Sequence, residues 1–133
     1  MSSTYQTGKL GETVACEYLA RLGFTIVCRN YRFNAGGRIK GEIDIIAEDG
    51  KYILFVEVKL RRYDPALLAR FGRPSAAVTY SKRQKIIAGT EYYLREHPTK
   101  LQPRVDVIEI TYKELTGGEW AYDINHIKGA ITR

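Results

Sequence analysis

Apolar side chains recur at Leu10, Val14, Tyr18 and Leu22, with Ala15 and Leu19 widening the stripe. Residues 8–22, GKLGETVACEYLARL, therefore predict an amphipathic helix. Gly23 suits the left-handed position that ends such a helix, and Phe24 can fold back onto Leu19. Residues 24–33, FTIVCRNYRF, read as a strand with Phe24, Ile26 and Cys28 on one face. Within EIDIIAEDGKYILFVEVKL (42–60), Asp49-Gly50 separates two β-rich runs and predicts a hairpin. Residues 61–80 carry no period and hold Pro65, Gly72 and Pro74, so they read as loop with at most a short helical turn. Ser81 opens a second helix, SKRQKIIAGTEYYLRE, which stops before His97-Pro98. RVDVIEI (104–110) and EWAYDINHI (119–127) are further strands. The order is helix, three strands, helix, strand and one appended strand, a mixed α/β domain.

Two charges interrupt the most apolar strand. In ILFVEVKL (53–60), Glu57 and Lys59 are two residues apart and share a face. A hairpin centred on Asp49-Gly50 sets Asp44 across from Phe55 and Glu42 across from Glu57, so Asp44, Glu57 and Lys59 lie on one side of the sheet. Carboxylates gathered on one face repel, and taking them out of water is costly without compensation. A divalent cation resolves the conflict, because Mg²⁺ is held by a few carboxylates, waters and phosphate oxygens. Glu12 lies at the margin of the first helix's apolar stripe and can reach along the surface or into a cleft. A solvated edge strand also accommodates Glu-x-Lys. The aspartate, the register and the apolar flanks together favour a site.

Charge adds a partner. The chain has 133 residues and a net charge of +6, with 44% hydrophobic and 27% charged residues, so one folded domain spanning 1–133 (core about 8–127) is expected. Residues 29–85 hold thirteen basic and six acidic side chains, while the flanks together are slightly acidic. That concentration suits a polyanion, nucleic acid before an anionic membrane surface. Arg61 and Arg62 lie just past Lys59 and are the first choices for DNA backbone contact, with Lys82, Arg83 and Lys85 on the second helix and Arg38 and Lys40 in the NAGGRIKG connection (34–41). Ser81 and Gln84 have capping-box spacing, so Gln84 reads as a cap with an accessory site role as the alternative. Asp106 with Arg104 two residues earlier reads as a structural pair, and His97 and His126 as incidental. Cys16 and Cys28 are too few for a disulfide framework and read as packing residues. No apolar run is long enough to span a bilayer and no signal peptide is visible, so the expected location is cytoplasmic.

Asp44, a twelve-residue gap and then Glu57-Val58-Lys59 resemble the PD-(D/E)XK nuclease signature. The element order is similar to the αβββαβ core of that superfamily, and Glu12 to the extra acidic residue of its archaeal Holliday junction resolvase branch. GKLGE, GEIDIIA, FVEVK and FGRPSAAVTYSKRQKI look like an uncharacterised bacterial YraN-type family of nuclease-like proteins. The resemblance covers about residues 8–127. It departs from the superfamily pattern where Ile43, not proline, precedes Asp44, and where Glu42 adds a carboxylate. It implies a Mg²⁺- or Mn²⁺-dependent endonuclease acting on DNA, duplex or branched, with Asp44, Glu57, the Val58 carbonyl and Glu12 around the metal. Lys59 would serve the attacking water, and a homodimer would place two sites on two strands. The alternative is a catalytically silent nucleic-acid-binding or scaffolding protein with the same fold.

Overall fold

The computed structural model of the chain describes residues 4–37, 39–71 and 78–131. Helix α1 (Thr4–Arg21) leads into strands β1 (Thr25–Ala35), β2 (Ile39–Glu48) and β3 (Tyr52–Arg62). Helices α2 (Pro65–Phe71) and α3 (Tyr80–Glu96) follow, then β4 (Gln102–Glu114) and β5 (Trp120–Ile127). The strands form one mixed sheet in chain order, β1-β2-β3-β4-β5, antiparallel except for the parallel β3–β4 pair. Parallel neighbours need a crossover, and the segment carrying α3 provides it. The expected α/β fold with an αβββαβ core is what the chain adopts, and the appended strand is β5.

Alternation along β3 divides the core. Ile53 and Phe55 pack under α3 with Ile46, Ile86 and Tyr93. Leu54 and Val56 pack under α1 with Ile45, Ala15 and Leu19. Burying each such side chain is worth about 1.5–3 kcal/mol, so β3, covered on both faces, is the sheet's central beam.

Helix α1 rests on the sheet through Gly11, Ala15 and Leu19, all buried, whereas Leu10 and Leu22 are exposed. The buried row is therefore rotated from the stripe expected from apolar residues alone, because a glycine contributes closeness and no hydrophobicity. A Cβ at Gly11 would lie 3.4 Å from three carbons of Leu60. This close approach holds the neighbouring Glu12 low over the sheet. The helix ends as expected: Gly23 has φ +99°, and the Phe24 and Gly23 N–H groups donate to Leu19 O and Ala20 O at 3.0 Å.

Four local expectations change. A register shift between Ile26 and Cys28 puts Ile26 under α1 and Cys28 under α3, so they do not share a face. The hairpin turns on Gly50-Lys51, not Asp49-Gly50, because Asp49 Oδ1 accepts from Lys51 N (2.8 Å) and Tyr52 N (2.6 Å) while Asp49 N donates to Tyr52 O (3.0 Å). Ile45 consequently pairs with Val56, and every predicted cross-strand pair is displaced by two residues, which leaves facing unchanged. Helix α3 is capped by Thr79, whose side chain accepts from Lys82 N at 3.2 Å, so Ser81 and Gln84 form no capping box. Within the segment expected to be mostly loop, residues Pro65–Phe71 form the full helix α2.

Candidate metal centre and nucleic-acid interface

Pairing between β2 and β3 stops at Ile45–Val56, although β3 continues to Arg62 beside β4 and β2 runs back to Ile39 beside β1. The sheet is forked at this point. Asp44 is the first β2 residue past the fork and Glu57 the first on β3. At the same level Asn30 adopts φ +55°, and the β1–β2 register passes from Arg29–Ile45 to Tyr31–Ile43. Asparagine tolerates that left-handed conformation better than most residues. The local turn also breaks strand alternation, since Ile43 and Ile46, three apart, pack in the same cluster. The Asp44 carboxylate is thereby left in the fork, where its Oδ2 accepts the Val58 N–H at 2.8 Å. That amide would otherwise lack a β2 partner.

Glu12, Glu42 and Asp44 each place one carboxylate oxygen within 4.8 Å of the others. Glu12 Oε2 is buried without a hydrogen-bond partner, and the nearest cation, Arg29 Nη2, stands 3.6 Å away. Burial, followed by the Glu57 charge and more weakly by Glu12, pushes the Asp44 carboxyl up from 3.8 to about 7, against the Val58 hydrogen bond and Lys82. The described residues do not supply enough positive charge to relieve the crowding. Oxygen donors, a short common radius and an orphaned buried oxygen fit a hard divalent cation.

Glu57 stands apart from this trio. It is 6% exposed, and its Oε1 pairs with Lys82 Nζ at 3.1 Å. Burial works against the Lys82 ammonium, but Glu57, with help from Asp44 and Glu42, more than offsets it and holds its pKa above the ordinary lysine value. Lys82 is thus an ion-pair partner of the acidic centre. Lys59 is half-buried on the Glu57 face, level with Glu109 of β4. Glu42, expected only as an accessory, belongs to the trio.

The other basic positions lie at the surface. Arg62, Arg83, Lys85 and Lys40 are exposed, as is Gln84. Arg61 is also exposed, but its Nε lies 3.7 Å from the buried Glu109 Oε2, so it answers a carboxylate within the protein. Arg38 lies outside the described residues.

The family model for "Uncharacterised protein family UPF0102" matches residues 11–110. The chain belongs to this family. A UPF0102 protein of Clostridium kluyveri is 44% identical over 106 residues, 79% of each chain. UPF0102 proteins of Chloroflexus aurantiacus and Caldicellulosiruptor saccharolyticus are 36% and 37% identical, covering 93% and 95% of this chain and 91% and 97% of their own. The UPF0102 match takes in Glu12, Glu42, Asp44, Glu57, Lys59 and Lys82, so the whole forked site falls within the family's common region.

Sequence reasoning missed four connections in this UPF0102 chain. Arg29 reaches across to Glu12 and Thr13 (3.4 Å) from β1. Lys82 reaches Glu57, and its place near a helix N-terminus, where a cation is disfavoured, was the available signal. His126 is not incidental: its ring joins Asp106 at 2.7 Å and Tyr18 Oη at 2.9 Å. His97 likewise caps α3, donating its N–H to Tyr93 O at 2.7 Å and stacking on Tyr93 at 4.3 Å.

Proposed function

We propose that the chain is a Mg²⁺- or Mn²⁺-dependent endonuclease that hydrolyses phosphodiester bonds in DNA, with branched or junction forms among its substrates. The observation carrying this reading is the gathering of one carboxylate oxygen each from Glu12, Glu42 and Asp44 within 4.8 Å of one another, where the buried Glu12 Oε2 accepts no hydrogen bond and has only the longer Arg29 ion pair at 3.6 Å. The resemblance to PD-(D/E)XK nucleases supports it from the sequence side. Asp44, Glu12 and Glu42 would hold the ion, with Glu57 and the Val58 carbonyl joining them. The ion would supply Lewis-acid stabilisation of charge on the scissile phosphate. Val58 N–H fixes the Asp44 carboxylate in the fork. Lys59, on the Glu57 face, would orient a water or neutralise phosphate charge. Arg62, Arg83, Lys85 and Lys40 would hold the DNA backbone. A homodimer acting on two strands is part of the proposal.

A second reading, a nucleic-acid-binding scaffold without turnover, is favoured by one contact: Lys82 Nζ answers the Glu57 carboxylate from within the protein at 3.1 Å. Cleavage of linear, flapped and four-way DNA in Mg²⁺ and in Mn²⁺ separates the two. The nuclease reading expects Asp44→Asn and Glu57→Gln each to lose cleavage by about a hundredfold or more while DNA affinity holds. DNA binding by wild type with no cleavage in either metal would establish the scaffold instead.

A further inference from the structure

Glu57 has the chemistry of a metal ligand and its charge acts on Asp44, yet its carboxylate is absent from the cluster formed by Glu12, Glu42 and Asp44. Lys82 explains the separation. Its Nζ lies 3.1 Å from Glu57 Oε1, while Glu57 is almost fully enclosed and 44% of the Lys82 side chain remains exposed. Glu57 is thus the ion-pair partner of the Lys82 ammonium, and much of the Lys82 side chain faces solvent. Its backbone is fixed, because Lys82 N donates to Thr79 Oγ1 at 3.2 Å. The four-carbon stem beyond that anchor can swing without disturbing α3. The first turn of a helix repels cations, so Glu57 and the carboxylates behind it are what hold the ammonium inward.

We propose that Lys82 is the built-in counter-cation of Glu57, displaced when a divalent ion enters and delivered to a phosphate of the nucleic acid. The proposal rests on the metal-dependent reading above and adds an order of events. With Asp44, Glu12 and Glu42 holding a divalent ion, the Lys82 ammonium would be repelled and the Glu57 carboxylate would move toward the site. Freed from Glu57, Lys82 turns to the open side, where a phosphate replaces the lost carboxylate. No covalent change is involved, only exchange of ionic partners. The arrangement gives Glu57 a counter-charge beside Asp44, Glu42 and Glu12, and it couples metal binding to DNA grip.

Calorimetric titration of Mn²⁺ in the absence of DNA tests the displacement in wild type, Lys82→Met and Lys82→Arg. Lys82→Met is expected to bind Mn²⁺ about five- to tenfold more tightly, the effect of removing one close competing charge, with Lys82→Arg near wild type. Binding by wild type with no gain in Lys82→Met overturns the proposal and leaves the nuclease reading standing. Absence of Mn²⁺ binding in all three proteins, also when phosphorothioate duplex is present, overturns both. The salt dependence of binding to hydrolysis-resistant phosphorothioate duplex tests delivery. Lys82→Met should lower the slope by about 0.9 with Mn²⁺ present and leave it unchanged in EDTA. An equal fall in EDTA would show that Lys82 grips DNA without being released by metal.

Discussion

Asp106 accepts hydrogen bonds from Arg104 Nε and Nη2 and from the Gly129 N–H, each at 2.9 Å, and from His126 Nε2 at 2.7 Å. Asp44, two strands away, accepts the Val58 N–H and otherwise faces Glu57 and Glu12. Both carboxylates are withdrawn from water. Burial pushes the Asp106 carboxyl upward, but His126, Arg104 and Gly129 outweigh it, and its pKa is held below the ordinary value. For Asp44 burial and neighbouring charge act together and drive it up to about 7. A carboxylate can only accept, so His126 Nε2 carries the hydrogen shared with Asp106, and in the neutral ring Nδ1 accepts from Tyr18 Oη. The Asp106 network thus ties α1, β4 and β5 together with every donor used. The fork, by contrast, gathers carboxylates whose repulsion Lys82 and Arg29 relieve only in part, so that Asp44 stays raised.

The largest expected effect lies on the satisfied side of this contrast. Asp106→Ala strands the Arg104 guanidinium and the His126 ring, and a loss of about 3–5 kcal/mol is expected in urea unfolding. A loss below about 1 kcal/mol would show that the network contributes little and would break the contrast. Next comes pH. With Asp44 raised from 3.8 to about 7, the folded metal-free protein keeps a proton that the unfolded chain has released across this window. Its contribution is therefore fully present below pH 3.8 and is lost as pH rises through 7, by an amount on the order of a few kcal/mol. Asp44→Asn should remove that decline, so unfolding free energy measured from pH 4 to 8 is expected to slope downward in wild type and to be flatter in the variant. Asp106 acts with the opposite sign: its stabilisation is present above 3.8 and disappears only as pH falls below it. Identical slopes in wild type and Asp44→Asn would overturn the account of the fork. The smallest effect belongs to Tyr18→Phe, which removes one hydroxyl from His126 Nδ1 and should cost about 0.5–1.5 kcal/mol in thermal unfolding.

Much of this was readable from spacing. The 3.6-residue period located α1 and α3, the Asp-Gly pair located the hairpin, and parity placed Glu57 and Lys59 on one face even though the turn itself moved by one residue. What escaped depended on contacts that spacing does not encode. Gly11 seats α1 by being small, so an apolar count could not centre the buried row on it. The bulge at Val27 is a property of the β1–β2 pairing and redirected Cys28. Parity also could not anticipate that Asp44 would be turned into a fork, because the divergence of β2 from β3 depends on Asn30 and on where pairing ends. Tyr18, Asp106 and His126 are far apart in the chain and meet only through tertiary packing.

The hairpin turn also sets a timetable for folding. Asp44 and Glu57 are thirteen residues apart and close on each other through the Gly50-Lys51 turn, whereas the parallel Tyr52–Gln102 ladder must span fifty residues. Chain-closure entropy grows with that separation, and local contacts of this kind form before distant ones. The acidic pair is expected to meet early, before β4 brings in the Asp106 network that holds the native state together. During synthesis, the nascent chain then has both Asp44 and Glu57 before α3, and with it Lys82, has emerged.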